Sequence, residues 1–187
     1  MEGSRVMIIR LAFLVATVTS QAVAQQADDL AIGQTVARGQ GEVYTRDVSG
    51  DWEVRRERAD QGQRENCSVY QLLRQPDGNP IAEISLFPIN PGGQAVAGAT
   101  IVTPLETLLQ RGIQITVDGA ETKVYPYSFC TRVGCTARVG FTRADLLAFE
   151  RGRIAVMEIF AVANSDRSVQ IPISLNGFTV GYDALLD

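Results

Sequence analysis

Cys130 and Cys135 bracket Thr-Arg-Val-Gly in a chain of 187 residues that has one further cysteine, Cys67, and no histidine. Such a thiol pair could in principle do redox chemistry, hold a metal or cross-link the chain. Redox dithiols favour Cys-x-x-Cys at the start of a helix, where the thiol pKa is depressed. This segment has neither that spacing nor a helix signal. Zinc would have to be held by cysteine and carboxylate alone, and three thiols are too few. A serine or cysteine hydrolase wants a histidine base, and a Gly-x-Ser-x-Gly turn is also missing. No Asp-x-Asp-x-Asp-Gly calcium loop occurs. The two cysteines therefore read as a structural staple and not as a catalytic pair.

The carboxylates offer one further chemistry. Asp51 and Glu53 alternate on a predicted strand and so share a face, as the two acids of a glycosidase must. No motif surrounds them, and solvated strand charge is the favoured reading. Trp52, flanked by apolar alternation, reads as a core anchor in preference to a sugar platform. Asn66-Cys67-Ser68 matches a glycosylation sequon only formally.

The N-terminus sets the compartment. Arg5 and Arg10 flank an apolar run from Met7 to Val18, and Ala22-Val23-Ala24 offers a small-residue cleavage site. A dozen apolar residues fall short of the roughly 20 needed to span a bilayer. Residues 1–24 are expected to be a cleaved signal peptide, with the mature chain starting at Gln25. No cysteine follows that site to carry a lipid, and no later segment is apolar enough to cross a membrane. The mature chain carries 15 Arg and Lys against 20 Asp and Glu, a net −5. Nucleic acid would want a clustered basic face, and anionic lipid a polybasic one; the acidity argues against both. Lys123 is the sole lysine.

Residues 25–45 are polar and glycine-bearing and are expected to form a flexible lead-in. The domain is then residues 46–187, long enough to bury a core without metal. From Asp51 the pattern is mostly alternating. Strands are expected around Trp52–Arg56, Ser68–Leu73, Ile81–Ile89, Ala95–Val102, Ile113–Val117, Thr122–Tyr127, Thr136–Val139, Ile154–Val162 and Val169–Ser174. Gln75-Pro76-Asp77-Gly78 and Asp118-Gly119 supply turns. Asn164-Ser165-Asp166-Arg167 reads as another. Thr142-Arg-Ala-Asp145 reads as an N-cap opening a short helix to about Glu150, with Gly152 at its end. The run from Phe178 to Leu186 suits a final helical turn or two. The expected fold is mainly β: a single-domain antiparallel β-sandwich with one or two short helices, with a partly open barrel as the alternative.

Several of these pieces, in order, resemble the invasion-associated locus B (IalB) family of exported bacterial proteins. They are Gly50-Asp51-Trp52-Glu53-Val54, Cys67-Ser-Val-Tyr-Gln71, Arg111-Gly-Ile-Gln-Ile-Thr-Val-Asp118, Tyr127-Ser-Phe-Cys130 through Cys135-Thr-Ala137, and Val169-Gln-Ile-Pro-Ile-Ser-Leu175-Asn-Gly177-Phe178. The resemblance spans about residues 48–187. It implies a protein of the Gram-negative periplasm, outer membrane or exterior, with no agreed enzymatic activity and no catalytic residues to carry over. It also implies a Cys130–Cys135 disulfide. Family members commonly carry Trp-x-Val-x-Cys after the first motif. Here that cysteine is replaced by Arg56, and Cys67, its expected partner, is left unpaired. Cys67 is then either a small buried apolar residue or the link of a disulfide-bonded homodimer.

The functional expectation is a non-enzymatic envelope or secreted protein, with no cofactor, metal or nucleic acid. It would bind a macromolecular partner, an envelope component or a host-cell surface. The alternative is a carboxylate-dependent hydrolase or lyase acting on envelope glycans.

Overall fold

The structure is a computed structural model that describes residues 42–58, 65–89 and 93–186. The expected signal peptide and residues 25–41 of the expected lead-in lie outside the described residues. Eleven strands are present among the described residues, arranged in two antiparallel sheets. They are β1 Val43–Ser49, β2 Trp52–Glu57, β3 Asn66–Arg74, β4 Pro80–Pro88, β5 Ala95–Thr103, β6 Ile113–Val117, β7 Lys123–Tyr125, β8 Phe129–Cys130, β9 Cys135–Thr142, β10 Ile154–Ala161 and β11 Asn164–Ser174. The larger sheet runs β1-β2-β3-β4-β5-β9-β8 and the smaller β11-β10-β6-β7. The sheets do not share a ladder, so the fold is a sandwich and not a barrel.

The core follows from strand alternation. Trp52 and Val54 on β2, Ile84 and Leu86 on β4, and Ala137, Val139 and Phe141 on β9 turn inward from the large sheet. Ile113, Ile115, Ala155, Met157, Ile171 and Ile173 meet them from the small one. Two helices fill the open side: α1, Arg143–Arg151, and α2, Phe178–Asp183. Edge-on and tilted ring contacts then run from Trp52 to Phe178 (5.1 Å), on to Phe149 (5.4 Å), Phe141 (5.2 Å) and Tyr125 (5.8 Å). Such pairs add about 0.5–1.5 kcal/mol each beyond their buried area.

Helix α1 begins as its sequence dictates. The Thr142 hydroxyl accepts from the Asp145 amide, and the Asp145 carboxylate accepts from the Thr142 amide, a reciprocal capping box. Gly152 ends the helix in an extended conformation, not the left-handed one its position suggested. Its lack of a side chain matters because a Cβ would run into the Ala148 carbonyl, Leu175 and Val117.

Three boundaries differ from the pattern. Strand β1 starts at Val43, inside the expected lead-in; its exposed, charged residues hide a strand because it lies on an edge. That edge is blunted by a bulge around Arg46, and the Asp47 carboxylate accepts the Val48 amide at 2.8 Å. Asn164–Arg167 is not the turn. The chain reverses at Val162–Ala163, and the polar residues form an irregular stretch of β11 where the register with β10 shifts. Asp51 is likewise in a turn, with Gly50, and not on the strand with Glu53.

Candidate functional site

The expected acid pair is not assembled. Asp51 Oδ2 accepts from the Ser174 hydroxyl at 2.6 Å, while Glu53 accepts from Arg55 (2.9 Å) and Thr45 (3.0 Å) on β2 and β1. Each acid is already engaged, in a different place and to a different end. Glycosidase chemistry needs two carboxyls facing one sugar.

Asp51 instead belongs to a junction that ties the first hairpin to the chain end. The Trp52 indole N–H donates to the Ser174 carbonyl at 2.8 Å. Gln71, buried on β3, donates to that same carbonyl (3.0 Å) and accepts the Ser174 amide (3.0 Å). The Asp51 amide donates to the Asn176 carbonyl at 3.1 Å. Gly50 (φ +56°) and Gly177 (φ +83°) cross here so closely that a Cβ on either would strike the other turn's backbone. Two of the resembling motifs, far apart in sequence, thus form one structural knot. Trp52 is fully buried as the core anchor expected.

Two clefts hold further ionisable groups. The smaller, about 170 Å³, lies between β6–β7 and α1 and is lined by Ile115, Tyr125, Phe141 and Phe149 beside a Lys123–Asp145 ion pair. Desolvation acts to raise the Asp145 carboxyl. Hydrogen bonds from Lys123 and Thr142 outweigh it and hold the group below its ordinary value. Tyr125 is pushed up to about 12 by burial and then by the Asp145 charge. The sole lysine is thus spent on binding β7 to the cap of α1. The cavity falls below the 300–1,000 Å³ usual for a ligand pocket.

The second cleft, about 780 Å³, opens at the ends of β2, β3 and β4 and is lined by Arg55, Arg56, Glu65, Cys67, Phe87 and Leu186, among others. Its cations are engaged: Arg55 with Glu53 and stacked 3.1 Å over the Tyr70 ring, Arg56 with Glu65 at 3.4 Å. Cys67 is half-buried and outside any disulfide, so it is neither sealed in the core nor fully presented to a second chain. The β2–β3 ladder sets Arg56 directly opposite Cys67.

Cys130 and Cys135 are disulfide-bonded and face each other across the β8–β9 hairpin. The loop between them holds Val133 out to solvent at 86% exposure, the most exposed large apolar side chain among the described residues. Gly134 serves close approach here: a Cβ would collide with the Thr103 carbonyl at the end of β5. The hairpin tip therefore lies against the chain leading to Leu105. That segment meets the β10–β11 turn, where the Val162 amide donates to the Glu106 carbonyl (2.8 Å) and the Leu108 amide to the Phe160 carbonyl (2.6 Å).

Leu105, Leu109, Phe129, Val133 and Val162 thus gather at one end of the sandwich. They are five of the twelve exposed large apolar side chains among the described residues. Arg138 stacks on Phe129 at 5.4 Å, and Arg111 covers Phe160 at 4.2 Å. Neither Arg132 nor Arg138 has an ion-pair partner among the described residues. Sequence reading missed this cluster because its members come from three separated loops and the short strand β8. Only the Cys-x4-Cys spacing marked one of them.

Geometry of this kind defines a disulfide-pinned two-sheet β-sandwich whose polar clusters tie its own elements together and whose apolar loops meet at one end. Residues 52–186 match the family described as Invasion associated locus B (IalB) protein. The chain belongs to the IalB family, whose members are exported proteins and which is not a known enzyme family. It is also similar to the crystal structure of invasion associated protein B from Bartonella henselae. The TM-score is 0.64 at 17% identity, covering 75% of this chain and 93% of that one. At that identity the likeness speaks for the fold alone. No curated protein matches the chain. No helix among the described residues is long and apolar enough to cross a membrane.

Proposed function

We propose that this is an exported, non-enzymatic protein that works by binding a macromolecular partner of the cell envelope. A host surface, which the name of the Bartonella henselae relative suggests, is the other partner in view. The observation that carries this reading is the loop cluster at one end of the sandwich. Solvent-facing aliphatic side chains from three loops, rimmed by unpaired arginines, are the composition of a contact surface. Asp51, Glu53, Asp145 and the lysine, in contrast, are taken up by internal hydrogen bonds and ion pairs that hold the elements together. Its site of action is the periplasm, with outer-membrane association or secretion as its further destinations.

The test is sedimentation of the purified mature domain with envelope fractions: inner membrane, outer membrane and cell-wall sacculi. The expected result is retention with one fraction, lost in a Leu105→Asp/Val133→Asp double variant of unchanged melting temperature. Equal retention of that variant, or no retention of the wild type on any fraction or on host cells, refutes the reading.

A further inference from the structure

We infer that the apolar end of the sandwich docks on an anionic phospholipid bilayer, a partner class that rests on the binding reading above. Val133 stands at the apex of a covalently closed hairpin, Leu105 on the neighbouring corner and Val162 on the next turn. Neither of the two clefts described lies here; both are lined by other residues. A protein partner would need three matching pits. A fluid interface accepts separate aliphatic knobs wherever they fall, burying each side chain to the headgroup–acyl boundary.

The charges suit the same surface. Residues 122–144 contain Lys123, Arg132, Arg138 and Arg143 and no acid. Lys123 is taken by Asp145 and Arg143 by Glu150 at 3.7 Å, which leaves Arg132 beside the apex and Arg138 on the adjoining strand face. Glu106 is the carboxylate on the facing segment. The net acidity of the chain thus hides a local cationic rim next to the apolar tips. An arginine near an anionic leaflet is attracted within about a Debye length, and the attraction falls as salt rises. The Cys130–Cys135 bond keeps the apex formed, so insertion does not have to order a flexible loop.

Vesicle sedimentation with the purified mature protein tests this. The probes are vesicles of phosphatidylglycerol mixed with phosphatidylcholine, and of phosphatidylcholine alone. The expected result is binding to the anionic vesicles at least tenfold stronger than to the neutral ones, reduced severalfold by 0.5 M salt. Val133→Asp and Arg132→Glu should each weaken it severalfold with unchanged melting temperature. A surface substitution far away, Asp77→Asn, should leave it as it was. No vesicle binding, equal binding to both compositions, or full binding by Val133→Asp overturns the inference. If the protein is retained on envelope fractions but not on vesicles, and protease treatment of the fraction abolishes retention, the partner is a protein. The binding reading then survives and this one falls. Loss of both ends both.

Discussion

Arg56 and Cys67 are cross-strand partners, so Arg56→Cys should create a second disulfide. Directly opposed residues of an antiparallel pair have Cα atoms within the 4.4–6.8 Å that a disulfide spans. The new bond would close a loop of about 12 residues, and chain-entropy reasoning gives roughly 3 kcal/mol. Two side effects oppose each other. The partly exposed Arg56–Glu65 pair is lost, which costs about 0–1 kcal/mol. So is the buried Arg56 Nε–H, which has no acceptor and is better absent.

At about 2–4 °C per kcal/mol for a domain of this size, the oxidised variant should melt roughly 6–12 °C above an Arg56→Ser control. Thermal melting by circular dichroism measures the shift. Thiol titration of the unfolded protein should count one thiol in wild type and none in Arg56→Cys. A folded Arg56→Cys protein that keeps two titratable thiols after mild oxidation would show that the β2–β3 register is not the one described.

Three other perturbations follow from the same structure. Cys130→Ser should lower the melting temperature by about 4–8 °C under oxidising conditions, from roughly 2 kcal/mol of loop entropy; three free thiols in the wild-type protein would remove the basis for it. Gln71→Leu leaves the Ser174 amide without its acceptor, which should cost about 1–3 kcal/mol in urea unfolding; an unchanged midpoint would show that the junction contributes nothing. Asp145→Ala removes a capping box and a charge pair and should cost about 1–2 kcal/mol near neutral pH. Because the folded carboxyl titrates below its unfolded value, the wild type holds this stability above about pH 4 and loses it as pH falls through the depressed pKa. The variant should therefore approach wild type in acid; a constant gap down to pH 2 would contradict the depressed pKa.

Much of the architecture was legible because it depends on neighbours in sequence. Thr142 and Asp145 are three residues apart and form the box their types dictate. Asp118 and Gly119 both take positive φ in the hairpin turn they suggested. Trp52 was legible as core from its apolar flanks. What stayed hidden depends on distant pairings. Gln71 looks like any strand glutamine until Ser174, over a hundred residues on, supplies its partners. Lys123 gives no sign of Asp145. Asp51 looked like a strand residue because the motif around it is extended, yet the glycine before it turns the chain. The apolar end could not be read at all. Leu105, Val133 and Val162 sit in loops whose adjacency exists only once the sheets have stacked.

The crossing of Gly50 and Gly177 also bears on how such a protein can be made. The Trp52 indole donates to the Ser174 carbonyl and its ring packs on Phe178, so the first strand pair waits for residues more than a hundred positions further on. A nascent polypeptide has no means of completing its interior before β11 and α2 have emerged.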